Sequence, residues 1–220
     1  STEMIPDIAI LDPALPAKMP KHITANTGMD VLAHAIEAYV STAASPYTDA
    51  LAIQAIKLVL ENIVTAYEHG DNMEARNNMH NASALAGMAF TNASLGLIHS
   101  LAHKIGGEFG ITHGLTNAIL LPYIIQFNRK STDKVSKLEK DLGIENLSSC
   151  IKELNEKLDI PLNFKDVTEV DMNEDKFKEV LVRMSENAYN DPCTATNPRE
   201  SDPKIVEMIY TSAYYGKDID

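Results

Sequence analysis

Gly28-Met29-Asp30-Val31-Leu32-Ala33-His34-Ala35-Ile36-Glu37-Ala38-Tyr39 reads as one helical stretch, and it carries Asp30 and His34 four residues apart. Positions i and i+4 share a helix face. A carboxylate oxygen and an imidazole nitrogen on adjacent turns can therefore close on one cation at roughly 2 Å, with no loop to order first. A second stretch, Leu97-Ile98-His99-Ser100-Leu101-Ala102-His103-Lys104-Ile105-Gly106-Gly107, repeats the spacing with His99 and His103, and His113 opens the next element. By spacing alone, His99 and His103 are equally good ligands. A lone histidine on an apolar face is more often a hydrogen-bonded core residue than a ligand. Burying this many titratable groups without a cation is costly, however, so the pattern points to a shared metal. His22, His69 and His80 fall outside it and read as surface or helix-end residues.

Outward from these stretches the chain is mostly punctuated helix. Ser45-Pro46 supplies a cap and an N1 proline for a helix ending at Glu68-His69-Gly70, where the glycine suits a left-handed C-terminal cap. Asn72 can cap the next helix, whose alanine-rich half from Ala82 to Phe90 implies close packing. Further helices are expected over about 93–105, 114–128, 132–142, 146–158, 173–189 and 203–215, with Pro122 kinking its own and Gly143 and Gly216 as stops. Gly106-Gly107 reads as the turn that brings His113 back to the site, and 190–201 as a loop. The expected fold is a mainly α multi-helix bundle. One stretch does not fit it: Asp7-Ile8-Ala9-Ile10-Leu11-Asp12-Pro13 has the unbroken apolar run of a buried parallel strand, with no later sheet to join. An orphan strand, in a chain starting at Ser1 without Met, suggests a neighbouring domain.

At 220 residues with 45% hydrophobic content, the chain can bury one sizeable core. A net charge of −12 argues against nucleic acid or an anionic membrane as partner. No run of about 18 apolar residues is apparent to span a bilayer. Cys150 and Cys193, the only two cysteines, lie far apart and indicate neither a disulfide framework nor a thiolate zinc site. A cytoplasmic location is expected.

Three blocks make the chain recognisable: Thr27-Gly28-Met29-Asp30 through Tyr39, Gly96-Leu97-Ile98-His99 through Gly107, and His113-Gly114-Leu115-Thr116-Asn117-Ala118-Ile119-Leu120-Leu121-Pro122. Together with Asp12-Pro13, Met79-His80-Asn81-Ala82-Ser83 and Cys193-Thr194-Ala195-Thr196-Asn197-Pro198-Arg199, they resemble the C-terminal half of the iron-containing (group III) alcohol dehydrogenases, closest to butanol-type and aldehyde-alcohol dehydrogenase modules. The resemblance implies a dehydroquinate synthase-like helical domain over 21–220, with 1–20 a residual strand and linker to an absent nucleotide-binding α/β domain. It implies that Asp30, His34, His99 and His113 ligate one iron(II) or zinc, which polarises the oxygen of a primary alcohol or aldehyde during hydride exchange with NAD(P). It also implies that His103 is no ligand but stands beside the nicotinamide, where it is the candidate catalytic proton relay.

No glycine-rich turn follows a strand here, so the main dinucleotide site is expected outside this chain. The isolated chain is expected to bind metal without turnover, and its exposed crevice wall would suit a homodimer. Two rivals remain at this stage: a helical metallohydrolase, although no adjacent His-Asp pair and no His-Glu-x-x-His motif occurs, and a non-catalytic metal-binding module.

Overall fold

The first amides of a helix lack intrahelical partners, and a short polar N-cap side chain accepts from one of them in five of the helices here. The structure, a computed structural model, describes residues 7–219. Among these lie nine α-helices and no strand. They are α1 (Lys21–Val40), α2 (Pro46–Glu68), α3 (Met73–Ala93), α4 (Leu97–Phe109), α5 (His113–Asn128), α6 (Lys134–Leu142), α7 (Leu147–Lys157), α8 (Glu174–Tyr189) and α9 (Pro203–Tyr215). Ser45 opens α2 through a reciprocal box, its hydroxyl accepting from the Thr48 amide while the Thr48 hydroxyl accepts from the Ser45 amide. Asn72, Asn146, Asn173 and Asp202 accept from the amides of Ala75, Ser149, Lys176 and Ile205. Gly143 and Gly216 end α6 and α9 at left-handed φ values of 67° and 71°.

α1, α2 and α3 pack on one another, and buried alanines on α2 (Ala52, Ala55) and α3 (Ala82, Ala86, Ala89) let the backbones approach. α5 packs against α1, α4, α7 and α9, and α8 lies against α4 and α9. From Leu115 to Ile125 every residue of α5 is buried, as befits a central helix that is apolar all round. Gly114 makes the α1–α5 crossing possible, because a Cβ there would lie 2.2 Å from the Asn26 carbonyl oxygen. That contact seats His113 against α1.

Several expectations need correction. Residues 8–12 form no strand: a strand exists only through a ladder with a neighbour, and Ile8 and Ile10 are 80% and 87% exposed. Gly70 is not a left-handed cap; His69 closes α2, and the Gly70 carbonyl accepts from Arg76 Nε. The helix expected from 93 starts at Leu97, because Ser94 turns the chain at φ 62° and α3 and α4 part at 105°. Gly106-Gly107 is not a turn but the last stretch of α4, which ends at left-handed Gly110. Gly106 instead permits close approach, since a Cβ there would meet the Ile111 carbonyl oxygen at 3.2 Å.

Pro122 sits inside α5, which continues through it, and Asn155 Nδ2 donates to the Ala118 carbonyl that the missing proline N–H leaves free. Finally, α2, with 23 residues and an 18-residue window of mean hydropathy 1.3, is long and apolar enough to cross a membrane by length and composition alone. Its face from Ala52 to Ile63 packs into the core against α1 and α3.

Candidate metal centre

Three helices converge on the Asp30 carboxylate. α1 carries Asp30 and His34 on one face, α4 carries His99, and His113 is the first residue of α5. Asp30 Oδ1 lies 3.7 Å from His99 Nε2 and 3.5 Å from His113 Nε2, and ligand atoms of these three residues all fall within 4.8 Å of one another. His34 borders this group without joining it. Its Nδ1 is bonded to the Asp30 carbonyl at 2.8 Å and lies 3.6 Å from Asp30 Oδ1, while its ring stands 4.2 Å from that of His99 and stacks on Phe90 at 4.6 Å. His34 thus keeps Nε2 as its free ring nitrogen.

The centre of the group is taken by an amide. Asn117, fully buried one turn after His113, places Nδ2 at 2.6 Å from Asp30 Oδ1, 3.0 Å from His113 Nε2 and 3.2 Å from His99 Nε2. Its Oδ1 is buried with no partner. An acid and two imidazoles thus face one point that an N–H donor partly fills, and this donor set fits a divalent cation.

Electrostatics agree with that fit. Burial alone would lower the His99 pKa, but the carboxylates of Glu37 and Asp30 overcome it and raise the ring to about 9. Burial, reinforced by the charge on His99, lowers His34 and His113. Burial would raise Asp30, yet the surrounding imidazoles and Asn117 bring it below the usual carboxylate value.

His103 lies on the exposed side of the cluster. Its ring is parallel to that of His113 at 5.6 Å, its Nδ1 lies 3.1 Å from Asp191 Oδ2, and its side chain is 39% exposed. Lys104 Nζ reaches the same Asp191 oxygen at 2.8 Å. Cys193 completes a second group with His103 and Asp191 that could geometrically hold an ion. Its thiol, however, is pushed up to about 12 by burial and by Asp191, and Lys104 already neutralises the aspartate. This second cluster orients His103.

Beside Asp30 and His34 opens a cavity of about 480 Å³ between the 3-10 turn Leu15–Lys18, α1 and α3, walled by Val31, Met79 and Phe90. His80 lines it from mid-α3 rather than from a helix end, with its Nδ1 buried and unpartnered. His22 is exposed, and His69 ends α2 as expected.

Sequence reading passed over Glu37, Asn117, Asp191 and Lys104. The first two carry a legible signal, because Glu37 follows His34 by three residues and Asn117 follows His113 by four, each on its ligand's helix face. Asp191 arrives from a remote loop, and nothing local marks it.

Known proteins resemble this chain over nearly its whole length. A family model described as "Fe-containing alcohol dehydrogenase family, C-terminal" matches residues 24–214. The NADPH-dependent butanol dehydrogenase of Clostridium saccharobutylicum is 45% identical over 98% of the chain, which spans 57% of that relative. An aldehyde-alcohol dehydrogenase of Streptococcus pneumoniae is 42% identical over 97% of the chain and 26% of its own length. The solved iron-containing alcohol dehydrogenase of Thermococcus thioreducens superposes with a TM-score of 0.91 at 38% identity, covering 99% of the chain and 57% of that structure. The chain therefore spans little more than half the length of the butanol dehydrogenase and of the solved structure.

Proposed function

Because this chain belongs to the iron-containing alcohol dehydrogenase family, we propose that it forms the metal-holding half of an NAD(P)-dependent enzyme that interconverts primary alcohols and aldehydes. Asp30, His34, His99 and His113 would hold one iron(II) or zinc ion. The cation would supply Lewis acidity towards the substrate oxygen. The convergence of Asp30, His99 and His113 on the point now bordered by Asn117 Nδ2 carries this reading.

The remaining work falls to this chain's own groups. Val31, Met79 and Phe90 give the adjoining cavity apolar walls that suit an aliphatic chain. Asp191 holds His103 by Nδ1, so that Nε2 is the nitrogen left to exchange a proton with the substrate hydroxyl or with solvent. The parallel stacking on His113 keeps that ring beside the ligand group.

Nucleotide binding is assigned to a further α/β domain in the parent protein, with residues 1–20 as linker and 21–220 as the helical domain. The greater length of the relatives supports this division. Cys150 and Cys193 as free thiols support a cytoplasmic setting.

The test is anaerobic reconstitution of the chain with ferrous or zinc salts, followed by metal analysis. One equivalent per chain, lost in Asp30→Ala and His99→Ala proteins that retain their helical circular dichroism, is the expected result. No bound metal under either condition would overturn the reading.

A further inference from the structure

A carboxylate shut away from water needs donors on both oxygens. Glu37, 2% exposed on α1, has them: Oε1 accepts from the Ile98 amide at 2.6 Å and Oε2 lies 2.5 Å from His99 Nδ1. Both partners belong to the start of α4, where Leu97 N also donates to Asn197 Oδ1 at 3.3 Å. Gly96 leaves the room for this, since a Cβ there would lie 2.9 Å from Glu37 Oε1 and 3.0 Å from Asn197 Oδ1.

We propose that Glu37 is a positioning residue: it holds the proton of His99 on Nδ1 and so turns the Nε2 lone pair to the metal centre. The inference rests on the metal-centre reading above and adds a residue to it. An imidazole ligates only through a ring nitrogen without a proton, and which nitrogen that is depends on the bond made by the other. His34 and His103 show the same logic, with Nδ1 taken by the Asp30 carbonyl and by Asp191. At His99 that partner is a carboxylate only 2% exposed, against 8% for Asp191 at His103. With Asp30, Glu37 gives the centre two negative charges, which match a divalent cation.

The isosteric amide separates positioning from capping. In Glu37→Gln, the side-chain carbonyl can still accept from Ile98, as a purely structural cap requires. The NH2 group then faces His99 Nδ1 as a donor, which forces the ring proton onto Nε2 and blocks ligation. The full 220-residue chain and its E37Q variant are compared by chelator competition with zinc and by 1H–15N NMR of the imidazoles. E37Q should lose about 10- to 100-fold in zinc affinity while keeping its helical circular dichroism. It should also lose the downfield, slowly exchanging Nδ1 proton that wild type shows on His99 with or without zinc.

Wild-type affinity in E37Q, or absence of that proton from the wild-type spectrum, overturns the proposal. If E37Q does not fold, Glu37→Asp serves instead. Its acceptor-only carboxylate should retain the His99 Nδ1 proton and measurable zinc binding, and loss of both in a folded E37D protein counts against the idea. A wild-type chain that binds no zinc sinks the metal-centre reading, while the proton measurement still judges Glu37.

Discussion

Asp191 concentrates three donors on one carboxyl group: Lys104 Nζ, the Cys193 amide and His103 Nδ1. Burial alone would raise its pKa, but Lys104, Cys193 and His103 prevail and bring it from 3.8 to about 2. A folded-state value below the unfolded one means that the stabilisation is complete above about pH 4 and fades as pH falls towards 2. Asp191→Asn should therefore flatten the loss of stability between pH 4 and pH 2, measured by urea unfolding at stepped pH, and leave zinc affinity unchanged because Asp191 is not a ligand. A variant curve parallel to wild type across that window would contradict the assignment. Residues of this kind mark the limit of reading a site from sequence. Asp30 and His34 announce themselves by i, i+4 spacing, whereas Asp191 and His103 are 88 residues apart and meet only because the 190–201 loop folds over α4. That loop is tied down by Thr194 Oγ1 to Ser100 Oγ and by Thr196 Oγ1 to the Leu95 carbonyl.

The helices that begin with an N-cap and end with a left-handed glycine could be bounded from sequence, as α9 was from Asp202-Pro203 to Gly216, because those signals act through the local backbone. Where tertiary contacts decide, the sequence is silent. α4 runs through Gly106 and Gly107 with no Cβ at Gly106 to meet Ile111 and Thr116, and the break at Ser94 is flanked by long-range ties, Ser41 Oγ donating to the Ala93 carbonyl and the Ile98 amide to Glu37 Oε1. The isolated apolar run at 8–12 could be misread for the same reason, as strand propensity becomes a strand only beside a partner. α5 offers the clearest test of such long-range support. Pro122 cannot donate to the Ala118 carbonyl, and Asn155 Nδ2 from α7 does so at 2.9 Å. Asn155→Ala should cost about 1–3 kcal/mol, the penalty for a buried acceptor left unpaired. In a Pro122→Ala background, whose restored amide reaches the same carbonyl, the same substitution should cost measurably less. Additive effects in the double-mutant cycle, read from urea midpoints, would show that the two donors do not share that acceptor.

On the scale of the whole molecule, the proposed metal centre joins α1, α4 and α5, so a cation held there would cross-link helices that otherwise meet through side-chain packing. Binding to the folded chain alone stabilises it by mass action, about 2.7 kcal/mol when free zinc stands a hundredfold above its dissociation constant. Urea unfolding should register that gain in wild type and not in His99→Ala; an equal gain in both would place the zinc elsewhere. Catalysis asks for more than this. Hydride exchange needs a dinucleotide held by backbone donors at a strand–helix turn, and the described residues contain no strand. The butanol dehydrogenase and the solved structure compared above extend to almost twice the span of this chain, and the side chains of His103 and His113 are 39% and 43% exposed. The zinc- or iron-loaded 220-residue chain should therefore show no NAD(P)-dependent oxidation of ethanol or butanol. A parent protein with an N-terminal nucleotide domain should show it and lose it in Asp30→Ala. Robust turnover by the chain alone, followed as nicotinamide absorbance, would mean that these helices contain a dinucleotide site of their own and that the division of labour between two domains is wrong.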